Sequence, residues 1–571
     1  MNNWKIAGLA GGGIAVTGTL YAKLAMRHGL HVFSYGEYPS LIRGGHNSLQ
    51  VTTDSSQVTT QQKLLDVLVA LNADGITLHL DELSQNSIIL VDKTQVKLDW
   101  DKLAVPGTVI DLPMYPISLE LTGSGLAANM VALGASCYLM GLDISLLHNL
   151  IKETFIKKGE EVVQKDQLAT EKGYEYAKAH HLTAHKAIIP IKQDQIYLSG
   201  NEAVGLGALA GGIQFYAGYP MTPVTSLLEF LADAQKSYPI VVKHSEDEIG
   251  AINQAIGASY AGARSMIASS GGGFALMVEG LSLAAITETP LVIMVGQRPG
   301  PATGLPTWTA QADLQFVLHA GHGEFGKIVL APGDIEECFT MTRLAFILAE
   351  QWHTQVYLLT DKYLIESSMS VPQFETKYPT KRYNLATDLP SDDSYKRYAM
   401  SDSGYSPRSI PGSPHGLSLT NSYEHDEYGY ATEDSVMAKA QIDKRLRKLD
   451  NIASYLPKPI LYGPKEADIT FVSWGSTKLV MLHTLNLLNQ ARPNTANFIQ
   501  LGCLAPFDAE TFTSLAKSSK RLIMVEGNAT GQAESLIRQH TGIEFKERLS
   551  RYDGRPFYAQ DIVTYVQGGV K

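Results

Sequence analysis

Cysteine is scarce in this chain. Cys137, Cys338 and Cys503 are the only three in 571 residues, far apart and outside any C-x-x-C spacing. They cannot build a disulfide framework, a zinc ribbon or an iron–sulfur cluster, so any redox metal must sit on a partner. Positive charge is short as well. Lys plus Arg total 47 against 57 for Asp plus Glu, a formal net charge of −10, which argues against a dedicated nucleic-acid or anionic-membrane binder and leaves room only for a local basic pocket. Long apolar runs free of Gly clusters and charge are missing too, which argues against a membrane span. The apolar stretch from Ile6 to Leu20 is interrupted by Gly11-Gly12-Gly13 and reads as strand, turn and helix rather than as a signal peptide. The expected compartment is the cytoplasm.

What is present is the composition of an ordered protein. Apolar residues make up 44%, charged residues 18% and aromatics 8%, which excludes a disordered chain, and the length corresponds to roughly three to five domains. Strand-like and helix-like segments alternate, predicting an α/β protein of several doubly wound parallel-sheet domains. Residues 1–190 open with a strand from Trp4 to Ala10, the Gly triplet, a helix from Ile14 to about His28 and a strand from His31 to Tyr35. Residues 195–370 alternate most clearly, with strands expected at Ile213 to Tyr216, Ser265 to Ser269 and Leu291 to Val295. The loops after these strands should share one sheet edge, where ligands bind in such folds. Residues 371–460 lose periodicity and read as an irregular wrapping connector, and alternation returns over 461–571.

The loops of that edge carry the candidate chemistry. In the turn Tyr219-Pro220-Met221-Thr222-Pro223, Thr222 has the pattern of a helix N-cap followed by proline, and its hydroxyl with the helix amides also suits a small carboxylate. Glu246 and Glu248 stand at a helix start, where the dipole favours either one structurally. Glu248 differs in being followed by Ile249, Gly250, Ala251 and Ile252, a small apolar face against which a carboxylate is desolvated and suited to proton transfer. Ser270-Gly271-Gly272-Gly273 reads as a tight packing turn or a phosphate cradle, as does Gly11-Gly12-Gly13; neither fits G-x-G-x-x-G or the Walker pattern. Arg298, ahead of Pro299-Gly300-Pro301, is either an exposed surface arginine or a bidentate carboxylate binder.

Taken together these motifs resemble a known family. The string GARSMIASSGGGFALMVEGLSLAAITETPLVIMVGQRPGPATGLPT from Gly262 onward, the Tyr219 to Pro223 turn, Arg43-Gly44-Gly45-His46, Glu424-His425-Asp426-Glu427-Tyr428-Gly429 and Asp553-Gly554-Arg555-Pro556 are similar, over essentially the whole chain, to the α subunit of 2-oxoacid:ferredoxin oxidoreductases with a γ domain fused at the N-terminus. The resemblance implies a γ domain over 1–190, a thiamine diphosphate pyrimidine-binding domain over 195–370 and a transketolase C-terminal-like domain over 461–571. It implies CoA-dependent oxidative decarboxylation of a 2-oxo acid, 2-oxoglutarate to succinyl-CoA first, or the reverse carboxylation. Glu248 would meet the aminopyrimidine ring and share a proton with it, with Gly271 and Gly272 beside the cofactor. Tyr219, Thr222, Arg298 and Trp308 would line the substrate side; Gly11, Gly12, Gly13 and Arg43 would lie on the coenzyme A side.

The same resemblance assigns what the chain lacks to others. No G-D-G motif and no four-cysteine set occurs, so Mg2+ and a [4Fe-4S] cluster are expected on a β subunit that shares the thiamine diphosphate and passes electrons to ferredoxin, in an (αβ)2 assembly, with no metal on this chain. One departure bears on the substrate: many relatives carry Lys or Arg where Trp308 stands, so pyruvate or a branched 2-oxo acid remains an alternative to 2-oxoglutarate. Two other classes compete, a transketolase or NAD-linked 2-oxoacid dehydrogenase component and a non-catalytic nucleotide-binding or scaffold subunit. The fused first block argues against the former and Glu248 downstream of the 219–223 turn against the latter.

Overall fold

The computed structural model describes residues 1–41, 44–182, 191, 194–379, 381–392 and 394–568. Two units emerge: Met1–Leu198 with Glu366–Gln373 and Tyr558–Lys571, and Ser199–Ile365 with Phe374–Phe557. Among the described residues no helix is long and apolar enough to cross a membrane.

The first unit is built on an eight-stranded sheet in the order Thr108–Asp111, Ile88–Val91, Val67–Ala70, Asn2–Leu9, His46–Asp54, His31–Glu37, Ser368–Pro372 and Gln195–Ser199. The first four are parallel, and Val67–Ala70 is wholly buried, as an unbroken apolar run requires of a strand covered on both faces. The sheet is mixed, however, where the sequence reading expects a parallel one. His46–Asp54 pairs antiparallel with both Asn2–Leu9 and His31–Glu37. One of its faces is buried though polar: Gln50 Nε2 and the Thr52 hydroxyl donate to Asn3 Oδ1 of the neighbouring strand at 2.9 and 2.8 Å, while Val51 on the other face joins the apolar core.

Helices Ile14–Arg27, Ala128–Leu139 and Glu160–Ala179 contribute to the main core of this unit. The last two cross at glycines. A Cβ on Gly134 would lie 1.8 Å from the Thr170 carbonyl oxygen, and one on Gly173 1.9 Å from that of Val131. Backbone meets backbone there, so a mainly polar helix docks without a broad apolar stripe. The charged stretch that follows is two helices, Ile144–Phe155 and Glu160–Ala179, with Gly159 between them.

The second unit holds a seven-stranded and a five-stranded sheet. One core underlies both, joining Ile267, Ile293 and Tyr357 to Val472, Trp474 and Ile499. The strand Cys503–Ala505 runs antiparallel to Ile328–Leu330 at the edge of the larger sheet. Phe215–Gly218, Ser265–Ser269 and Leu291–Gln297 are parallel neighbours, so the loops that leave them emerge side by side. The Gly271-Gly272-Gly273 run is not a turn: it forms the first residues of the helix Gly271–Leu276. The connector contains an 18-residue helix, Ser435–Ile452, and it is held by buried charge. Lys444 and Lys448 reach the Glu288 carboxylate at 2.8 and 2.5 Å, and Arg397 donates to the Glu288 carbonyl at 3.0 Å.

Candidate active site

Glu248 is the first residue of the helix Glu248–Tyr260, and its neighbour Asp247 performs the capping, accepting from the Gly250 amide at 2.6 Å. The dipole-favoured start is thus served by Asp247 and the exposed Glu246 is outside it, which frees Glu248 to turn inward, where it is 3% exposed. The Ser269 hydroxyl, at the end of its strand, donates to Glu248 Oε1 at 3.2 Å. Among the described residues nothing donates to Oε2. Gly273 makes the space: a Cβ there would lie 2.0 Å from the Ser269 hydroxyl and 2.3 Å from Glu248 Oε1. The glycine run is therefore a packing requirement at Gly273 and an open surface at Gly272, where a Cβ would meet nothing nearer than 4.0 Å.

Thr222 does not cap a helix. The next helix begins at Thr225 with Val224 in the N-cap position, and the Thr222–Pro223 peptide is cis. Instead the Thr222 carbonyl accepts from Arg298 Nη1 at 2.8 Å, which ties two of the three loops together. Arg298 is only part-exposed, which removes the exposed-surface reading; burial lowers its pKa and the field of Asp313 opposes that. Tyr219 is 39% exposed at the mouth of its turn, with its ring 6.2 Å from that of His244.

Asp313 was not expected from the sequence. It occupies the N-cap position of the helix Leu314–His319, yet its side chain caps nothing. It lies against Gly271, where a Cβ would stand 2.4 to 2.9 Å from its carboxyl atoms. Its amide donates to the buried Gln297 Oε1 at 2.9 Å. Burial pushes the carboxyl up to about 6 against the pull of Arg298. Ser269 and Gln297 were missed for the same reason: each matters through a contact distant in sequence, which no local pattern signals.

Trp308 lies further along the same loop, half-buried. The Arg555 guanidinium stacks on its ring at 3.3 Å, and the Thr309 amide donates to the Gly554 carbonyl at 3.1 Å. The structure thus joins Trp308 to the Asp553 to Pro556 motif and records no contact of its ring with Thr222, Glu248 or Arg298 among the described residues.

The first unit has its own cavity, of about 330 Å³, lined by Gly11, Gly12, Gly13, Leu71, Asp92 and Asn129 among others. It opens where parallel strands end, beyond Ala70 and Val91. A Cβ on Gly11 would have no neighbour within 4 Å, whereas one on Gly13 would strike the Asn129 amide at 2.4 Å. Asn129 in turn donates to the Thr17 hydroxyl at 2.7 Å. Arg43 lies outside the described residues. The three cysteines are free and buried, and no group of three His, Cys, Asp or Glu side chains among the described residues forms a metal site.

Two family models match. The one described as pyruvate flavodoxin/ferredoxin oxidoreductase, thiamine diphosphate-binding, covers residues 206–444, and the one described as pyruvate ferredoxin/flavodoxin oxidoreductase covers 3–176. Subunit alpha of 2-oxoacid:ferredoxin oxidoreductase 2 from Aeropyrum pernix is 31% identical over 98% of this chain and 96% of its own length. The 2-oxoglutarate oxidoreductase subunit KorA of Mycobacterium tuberculosis is 28% identical over 99% of this chain and 91% of its own. Among solved structures, the 2-oxoglutarate:ferredoxin oxidoreductase from Magnetococcus marinus, with 2-oxoglutarate, coenzyme A and succinyl-CoA bound, superimposes with a TM-score of 0.93 at 30% identity over 99% of each chain. The chain belongs to the 2-oxoacid:ferredoxin oxidoreductase α subunits, one component of a multi-subunit oxidoreductase with a thiamine diphosphate-binding region.

Proposed function

We propose that this chain catalyses, with a β subunit, the CoA-dependent oxidative decarboxylation of 2-oxoglutarate to succinyl-CoA, or its reverse, with ferredoxin as the electron partner. The observation that carries the reading is Glu248. It is a buried carboxylate with one oxygen bound by Ser269 and the other without a protein donor among the described residues, set into space that only a glycine at 273 leaves open. That arrangement fits a ring nitrogen of thiamine diphosphate, which when bound supplies the carbon nucleophile and the electron sink. Glu248 would exchange a proton with that nitrogen through Oε2. Gly272, at the open start of its helix, would let the cofactor come close to backbone, with Gly271 beside it against Asp313.

On the substrate side, Thr222 and Arg298 are already linked at 2.8 Å, and together they would hold the carboxylate of the 2-oxo acid in a fixed orientation. Tyr219 and the Arg555-stacked Trp308 would wall the approach. The cavity of about 330 Å³ beside Gly11, Gly12 and Gly13 would take part of coenzyme A, with Arg43 as an additional contact. We assign residues 1–190 as the γ domain, 195–370 as the pyrimidine domain, 371–460 as the connector and 461–571 as the transketolase C-terminal-like domain. Mg2+ and the [4Fe-4S] cluster are assigned to the β subunit, in an (αβ)2 complex.

The test is anaerobic viologen reduction by the tagged chain co-purified with its native partner. Reduction that requires both 2-oxoglutarate and coenzyme A is expected. Activity with pyruvate or a branched 2-oxo acid instead would replace the substrate, and absence of an iron–sulfur partner would overturn the assignment of the cluster.

A further inference from the structure

Arg408 is a buried cation without a counter-charge. It lies in the connector, only 4% exposed. Its backbone is fixed on both sides, the amide donating to the Asn384 carbonyl at 3.1 Å and the carbonyl accepting from the Ala386 amide at 2.9 Å. Among the described residues its side chain donates once, from Nη1 to the Ser259 carbonyl at 2.7 Å. No carboxylate pairs with it there, and Nε, shut off from solvent, meets no acceptor. Even with burial lowering its pKa to about 10, the guanidinium keeps its proton at neutral pH. Buried charges in folded proteins are paired, so a negative group is missing from this place.

The packing leaves room for one. Arg408 lines a cavity of about 10 Å³ together with Arg264, Ser265, Pro290, Phe346 and Glu350, space for a single water-sized occupant. Glu350 is the one carboxylate among the lining residues, and its charge is already spent. Its Oε2 accepts from Arg264 Nε and Nη2 at 3.0 and 2.5 Å and from the Tyr383 amide at 3.1 Å, while Oε1 accepts from Arg382 Nε at 2.6 Å. Arg264, Arg382 and Arg408 thus gather three positive charges around one negative. Ser265 adds a hydroxyl whose bond to the Ala263 carbonyl, at 3.4 Å, is weak enough to be exchanged.

We propose that this cavity is a structural anion site that takes one monatomic halide, chloride in the cell, on Arg408 Nε and the Ser265 hydroxyl. A water molecule would satisfy Nε and leave the excess charge where it is. A phosphate, a 2-oxo acid or any other polyatomic anion exceeds the space. Seated there, the ion joins the connector to the first residue of the strand Ser265–Ser269, whose last residue binds Glu248.

The experiment uses the full chain co-purified with its native partner. Its melting midpoint is followed as sodium gluconate is exchanged for sodium chloride at constant ionic strength, and crystals of the same complex soaked in sodium bromide are read for anomalous scattering. The midpoint should rise by about 1–3 °C by about 200 mM chloride and then level off, and a bromide peak should stand within hydrogen-bonding reach of Arg408 Nε. Arg408→Met removes the charge and keeps an unbranched side chain, and its midpoint should not respond to chloride. An equal response in Arg408→Met and the wild type would place the ion elsewhere and overturn the site. So would a wild-type cavity that holds water, or nothing, in the bromide crystals. Should Arg408→Met fail to assemble, the bromide map of the wild type decides alone.

Discussion

Glu248 shows what a single position inherits from its neighbours. Asp247 takes the cap, Ser269 binds one oxygen and Gly273 leaves the volume, so in the proposed function the free oxygen is the one that would move a proton. Glu248→Gln keeps the size and the Ser269 contact but cannot exchange that proton, and kcat should drop by about 10²- to 10⁴-fold in the assembled complex while co-purification of the partner is unchanged. Gly273→Ala should mimic the loss by displacement, because its Cβ would stand 2.3 Å from Oε1. Viologen-linked turnover measures both; near-normal kcat in Glu248→Gln would remove the residue from proton transfer. Glu248 was legible because the apolar run after it is local. Its partners Ser269 and Gly273 were not, since 21 and 25 residues separate them from it, and Asp313 was hidden by looking like an ordinary cap.

Whole elements were legible where their buried face is apolar. Strands such as His31–Glu37, Ser265–Ser269 and Leu291–Gln297 fall where the sequence places them, whereas the helix Ser435–Ile452 was missed because the face it buries is Gln441, Lys444, Lys448 and Ile452. Periodicity was present, but in charge. The Glu288 carboxyl, pushed up by burial, is held well below the usual range by Lys448, Lys444 and Arg397, and it lies at the end of the helix Val278–Ile286, where the connector locks on. Glu288→Gln strands two buried ammonium groups and should cost about 3–5 kcal/mol in urea unfolding of the chain. Replacing all three by apolar residues, Glu288→Leu with Lys444→Met and Lys448→Met, should recover most of that loss. A single Gln variant as stable as the wild type would show that the network is dispensable.

A second element-level device ties the strand His46–Asp54 to the short helix Leu80–Glu82. Glu82 Oε1 meets His79 Nδ1 at 3.1 Å, and His79 Nε2 meets His46 Nε2 at 2.8 Å. Burial, then His79, depresses the His46 pKa to about 4, with Asp74 and Glu82 opposing. The unfolded chain, with an ordinary imidazole, binds more protons between pH 6.5 and 4, so this side chain favours the folded state fully above pH 6.5 and progressively less as pH falls toward 4. Melting temperature against pH should therefore decline less steeply below 6.5 in His46→Gln than in the wild type. Parallel curves would acquit His46 of any part in acid destabilisation.

At the scale of the molecule, the two candidate sites are written in separate parts of the chain: the Gly11 to Gly13 cavity in the first unit and the loops around Glu248 in the second. If the proposed division of labour is right, each can be damaged alone. Gly11 is the sharpest probe. Its φ of 87° is one that Asp adopts more readily than most residues, and a Cβ there meets nothing within 4 Å. Gly11→Asp thus adds a negative charge to the cavity with little steric demand, and the phosphates of coenzyme A would feel it. A tenfold rise in the KM for coenzyme A corresponds to about 1.4 kcal/mol of lost binding, a reasonable size for one such repulsion in a partly desolvated cavity. The KM for the 2-oxo acid, and the CoA-independent release of carbon dioxide in a single turnover, should stay at wild-type values, whereas Glu248→Gln should slow that single turnover about 10²- to 10⁴-fold without altering coenzyme A affinity. If Gly11→Asp depressed both half-reactions equally, the glycine triplet would be a structural turn and coenzyme A would have to be sought elsewhere in the complex.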